Sequence, residues 1–223
     1  MYMKKETPLN HVLHLIGAFA WIACVQYFLI EQIVKNAWTI PAYSMRLNYI
    51  SDLGATSCNY LAPGTMLMVC SPLHALMNYS FIANGLLIIL GCVVFWRLLP
   101  KQRLLKIGLA FFGIGSLGLI AVGLIPENTF IVLHTASAIL FFLLVNLGMI
   151  LIGNGLLRLH RWRLRAWYSI LSGVIALVAL GILADSKLSF VLGVGLVERV
   201  ASYPFTIWLV IIGISLLLPR KAQ

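Results

Sequence analysis

Acid–base chemistry needs a proton carrier and a group to orient it. In this chain the residues able to supply both fall in four short clusters. The first is Asn48-Tyr49-Ile50-Ser51-Asp52-Leu53-Gly54. The second begins Ser71-Pro72-Leu73-His74 and continues to Asn78, Ser80 and Asn84. The third is Pro126-Glu127-Asn128, followed by His134 and Ser137. The fourth is Glu198-Arg199-Val200-Ala201-Ser202-Tyr203-Pro204. His74 and Asn78 are four apart, and His134 and Ser137 three apart, so each pair shares one face of a helix. Imidazole beside carboxylate supports general acid–base catalysis or metal binding. The candidate catalytic residues are therefore Asp52, His74, His134 and Glu198. His74 or His134 would act as the base, Asp52 or Glu198 would orient it, and Ser51 or a water would attack. Ser51, Asn78, Asn84, Glu127, Arg199 and Tyr203 are the candidate ligand-binding residues. No metal set stands out, and neither H-x-x-x-H nor G-x-S-x-G occurs.

Plainer roles fit the same residues. Each histidine satisfies a neighbouring carbonyl. Glu198 pairs locally with Arg199 and fixes a loop. Glu127 sits at a helix N-terminus, where the dipole favours an acid. A pair of facing histidines, His74 and His134, also suits haem or a metal. The cofactor is left unassigned.

The elements that must hold these residues are membrane helices. The 223 residues are 61% hydrophobic and 10% charged, against about 25% charged in a soluble domain. Spans of about 20 residues leave room for six. The apolar stretches run over residues 11–33, 73–96, 107–125, 130–157, 166–184 and 203–218. The first is too long for a signal peptide and is expected to remain as an anchor. The expected fold is all-α: a single six-helix transmembrane domain over residues 1–223.

The net charge of +10 is a topology signal. All but four of the 16 Lys and Arg residues lie in four clusters: Lys4 and Lys5; Arg97, Lys101, Arg103 and Lys106; Arg158, Arg161, Arg163 and Arg165; Arg220 and Lys221. The exceptions are Lys35, Arg46, Lys187 and Arg199. With the basic clusters inside, both termini are cytoplasmic and all four polar clusters lie at the opposite face. A multi-pass protein of a bacterial inner membrane is expected, with membrane lipids as partners and no nucleic acid. The segment 185–202 reads as an outer loop. Glycines 108, 113, 115, 118, 148, 153 and 155 read as helix-packing positions.

Of four cysteines, Cys24 and Cys92 fall in spans and read as small apolar residues. Cys58 and Cys70 share the long outer loop and are expected to form a disulfide.

The four polar clusters carry a resemblance. The motifs are Asn48–Gly54, then Asn78-Tyr79-Ser80-Phe81-Ile82-Ala83-Asn84-Gly85, then Gly123-Leu124-Ile125-Pro126-Glu127 with His134, and finally Glu198–Pro204 with Trp208. Their order and spacing resemble the prokaryotic six-span membrane family catalogued as domain of unknown function number 998, over roughly residues 10 to 218. The resemblance implies a six-helix membrane fold and carries over no activity. Ala55–Ser71 is longer than the link usual in that family. The functional expectation is a protein that binds or acts on a lipid or other amphiphile from the outer face. A hydrolase or transferase is one form of it; a receptor, assembly factor or small transporter is the other.

Overall fold

The computed structural model describes residues 7–60, 68–99, 102–159 and 162–218. Lys4, Lys5, Glu6, Lys101, Arg161, Arg220 and Lys221 lie outside them. The chain folds as helices α1 (Pro8–Ala23), α2 (Gln26–Ala37), α3 (His74–Leu98), α4 (Arg103–Leu124), α5 (Ile131–Leu157), α6 (Arg163–Ala184), α7 (Ser186–Leu192) and α8 (Val194–Leu217). Among the described residues six helical segments are long and apolar enough to cross a membrane: Pro8–Ala37, which takes in α1 and α2, then α3, α4, α5, α6 and α8. The protein is an α-helical, multi-pass integral membrane protein.

The centre of the bundle is aromatic. Trp21 packs on Phe95 with ring centroids 4.6 Å apart, and Phe112 packs on Phe205 at 4.7 Å. The buried indole of Trp208 donates to Ser169 Oγ at 2.7 Å, which satisfies its N–H in a region without water. Cys24 and Cys92 are buried free thiols.

Small residues let the helices approach. A methyl placed at Gly118 would lie 2.5 Å from the Ser137 carbonyl, and one at Gly153 would lie 2.7 Å from the Ala166 carbonyl. Gly113 departs from the packing expectation. No atom lies within 4 Å of where its Cβ would be, so it contributes no close approach.

The last span also differs from expectation. The segment 185–202 is not a loop: α7 occupies part of it, and α8 begins at Val194, nine positions earlier than the apolar run indicates. Two features hid this. Pro204 looks like a helix boundary but lies within α8; the single lost backbone bond is tolerated in a packed membrane helix. Glu198 and Arg199 look too polar for a span, yet both are buried and bonded inside the bundle.

Between α2 and α3 the chain crosses one end of the bundle. Ser51–Gly54 forms a 310 turn, and Asn59–Tyr60 pairs antiparallel with Met68–Val69. Cys58 and Cys70 are disulfide-bonded, with Cα atoms 4.1 Å apart. Asn78 Nδ2 donates to the Gly54 carbonyl at 2.8 Å and Ser71 Oγ to the Leu53 carbonyl at 2.7 Å. These bonds fasten the turn to the start of α3.

Candidate functional site

The 310 turn caps a cavity of about 420 Å³. Its walls come from α3, α4, α5, α6 and α8. Polar side chains line the cavity beside the cap, where Tyr49, Ser51, Glu127, His134 and Glu198 lie, and farther along the walls at Asn84 and Thr206. The remainder is apolar, with Leu119, Val122, Ile139, Phe141, Phe142 and Leu183 prominent. The cavity lies between the first half of α5 and the end of α6. Farther along, those helices close up, with Gly173 packed against the Asn146 carbonyl.

Two carboxyls form the floor of the polar end. Ser51 Oγ donates to Glu127 Oε2 at 2.6 Å. Asp52 lies behind Glu127, and its Oδ2 accepts from Asn48 Nδ2 at 3.0 Å and from the Tyr49 N–H at 2.9 Å. Glu127 Oε1 and Asp52 Oδ1 are both buried with no donor, and the two carboxyl groups neighbour each other. Two carboxylates in contact cannot both stay ionised. One shared proton accounts for both donorless oxygens. Burial pushes the Glu127 carboxyl well above the usual range, and the Asp52 charge adds to the shift. Burial also raises Asp52, against the opposing hydrogen bonds from Glu127, Asn48 and the Tyr49 N–H. Glu127 is not at a helix N-terminal turn: α5 starts four residues later.

His134 Nδ1 lies 2.7 Å from the Ile125 carbonyl. A carbonyl only accepts, so Nδ1 carries the hydrogen, and in the neutral ring Nε2 keeps its lone pair. Glu198 accepts the Ile50 N–H, which ties α8 to the cap.

The other sequence-derived candidates lie elsewhere. His74 is half-buried at the start of α3 and does not line the cavity. The two histidines therefore do not face each other across it. Asn78 holds the 310 turn. Arg199 and Tyr203 belong to a second network, centred on Glu31. Arg199 Nη2 meets Glu31 Oε1 at 2.9 Å, and Tyr203 Oη donates to the same carboxylate at 2.8 Å. Arg199 does not pair with Glu198, because consecutive residues of a helix do not face one another. Its remaining N–H groups go to Tyr43 Oη and to the carbonyls of Met45, Asn48 and Gly195.

Glu31 and Tyr43 are absent from the four polar clusters, and Asn48 opens the first of them without a role assigned to it. Glu31 had one available signal: it is the lone acid at the end of the first apolar stretch. Nothing local in the sequence marks Tyr43. Among the described residues no group of three or more His, Cys, Asp or Glu side chains is placed to hold a metal ion.

No curated protein and no solved structure matches the chain. A family model described as "Protein of unknown function (DUF998)" matches residues 11–215. That span takes in every residue of the cavity and of the Glu31 network, and the chain belongs to this family.

Proposed function

We propose that the protein binds an amphiphile taken from the bilayer, with the headgroup at the Glu127–His134–Glu198 end and the apolar part along α4, α5 and α6. The observation that carries this reading is the mixed lining of one cavity: hydrogen-bonding groups gathered beside the cap, and mainly aliphatic and aromatic side chains along the helix walls. Its volume falls within the roughly 300–1,000 Å³ usual for small-molecule sites. Ile131 and Ile139 line the cavity and are also half exposed on α5, so its mouth is apolar and suits entry from lipid. The polar end is the non-cytoplasmic one, because Arg97, Arg103, Lys106, Arg158, Arg163 and Arg165 all lie at the opposite helix ends.

The test is photolabelling of the purified protein with diazirine-bearing single-chain amphiphiles, followed by peptide mapping. Label is expected on cavity residues such as Ile139 and Leu183. It should be lost when Ala138→Trp fills the space. Label spread evenly over the lipid-facing surface and unaffected by Ala138→Trp overturns the reading.

The contact between Ser51 Oγ and Glu127 Oε2 favours a second reading, hydrolysis or group transfer. With the shared proton on Asp52, Ser51 would attack an ester carbonyl and pass its proton to Glu127; the ester C–O bond then breaks, Glu127 returns the proton to the departing alcohol, and water or a second alcohol releases the acyl group from Ser51. In that case Ser51→Ala abolishes turnover and leaves photolabelling intact.

A further inference from the structure

The polar end of the cavity consists chiefly of acceptors. Among the described residues Glu198 accepts from the Ile50 N–H alone. His134 presents a lone pair at Nε2, because its Nδ1–H is spent on the Ile125 carbonyl. The Asp52–Glu127 pair, sharing one proton, keeps one negative charge. Tyr27, Tyr49, Ser202 and Thr206 add hydroxyls, which donate or accept as the partner requires.

Among the described residues no lysine or arginine lines the cavity. The nearby Arg199 offers no help to an anion, since its five N–H donors are spent on Glu31, Tyr43, Tyr203 and three carbonyls. Its charge is offset by Glu31 at 2.9 Å. A phosphate or carboxylate headgroup would therefore meet carboxyl groups, with the Asn84 amide as the one side-chain N–H left to receive it among the described lining residues. Buried acceptors left without donors are costly, so the ligand must bring the donors.

Resting on the amphiphile reading above, we infer that the headgroup is a primary ammonium: the site takes a single-chain alkylamine or long-chain amino alcohol. The N–H donors and positive charge of an ammonium match the Glu198 carboxylate and His134 Nε2. Charge-assisted bonds of this kind are roughly twice as strong as neutral ones.

The experiment compares four diazirine probes of equal chain length on the unmodified protein: a primary amine, an alcohol, a carboxylate and a sulfate. The amine is expected to label the cavity peptides of α5 and α6 at least about tenfold more efficiently than the sulfate, the change expected from one lost hydrogen bond to a charged group. Excess unlabelled dodecylamine should compete, and dodecyl sulfate should not. Glu198→Gln keeps an acceptor for the Ile50 N–H and removes the carboxylate, so it should lower amine labelling by a larger factor than it lowers alcohol labelling. Equal cavity labelling by amine, alcohol and sulfate keeps the amphiphile reading and overturns the ammonium assignment. Equal labelling by amine and alcohol, with the sulfate excluded, does the same, because it shows a need for donors without a need for charge. Cavity labelling by none of the four overturns the amphiphile reading itself.

Discussion

Arg199 on the last helix and Glu31 on the first span form a 2.9 Å ion pair with side chains only 4% and 0% exposed. Tyr203 and Tyr43 complete the shell around the two charges. The pair closes the bundle by joining elements 168 positions apart in sequence. A buried ion pair repays its desolvation only when every remaining donor and acceptor is satisfied, and here the guanidinium is fully used.

Removing one partner strands the other charge. Glu31→Ala or Arg199→Ala alone is expected to cost about 3–5 kcal/mol. The double change Glu31→Ala with Arg199→Ala should cost less than the sum of the single losses. Thermal midpoints of the four proteins in one detergent measure this. Strictly additive losses would show that the pair is not coupled.

The Asp52–Glu127 pair makes stability fall with rising pH. Both carboxyls are raised by burial above their ordinary values of 3.8 and 4.5. The folded protein thus holds the shared proton more tightly than the unfolded chain does. That contribution is complete below the ordinary values and is lost as pH climbs through the raised ones. The groups around the pair are Ser51, Asn48, Tyr49, Glu198 and Arg199. Melting temperatures across this interval should decline. Glu127→Gln, uncharged at every pH, should flatten the decline. A slope untouched by that substitution would exclude a shared proton.

Gly195 sits where α8 passes beneath the 43–50 loop. Its N–H donates to the Arg46 carbonyl at 3.0 Å. An added methyl would run into the Asn48 carbonyl and lie 2.6 Å from that of Met45. Both carbonyls also accept from Arg199, so the loop cannot shift without disturbing the ion pair. Gly195→Ala is expected to destabilise by about 1–3 kcal/mol. Gly181→Ala is the control: nothing lies within 4 Å of its new methyl, so it should be neutral or gain up to about 1 kcal/mol of helix propensity. Equal behaviour of the two variants in thermal unfolding would refute the close-contact account.

The Cys58–Cys70 bond and the orientation can be tested together. Alkylation of denatured protein should block two thiols before reduction, Cys24 and Cys92, and four after it. With the cysteines 12 positions apart, losing the bridge should cost roughly 3 kcal/mol in the chain-entropy model. In intact cells, a single cysteine at Thr56 should react with an impermeant maleimide, and one at Gln102 should react only after lysis. Labelling of the Gln102 position from outside reverses the proposed orientation.

The amino-acid sequence by itself determined the class, the number of spans and the polar end of the bundle. Lipid imposes a coarse rule that composition obeys: backbone in hydrocarbon must be helical, and helices must be long and apolar. The same rule made Ser51, Asn84, Glu127, His134 and Glu198 conspicuous, since polar groups at that depth need a reason. Only the tertiary structure decided which of them meet. His74 and His134 look equivalent along the chain, yet one lines the cavity and the other does not. Arg199 looks like the partner of its neighbour Glu198 but is held by Glu31 from the opposite end of the sequence. Residue spacing fixes the face of one helix; which face meets which depends on how side chains such as Trp21, Phe112 and Phe205 pack between helices. No local pattern encodes that, because each of those contacts is shared between segments far apart in the chain.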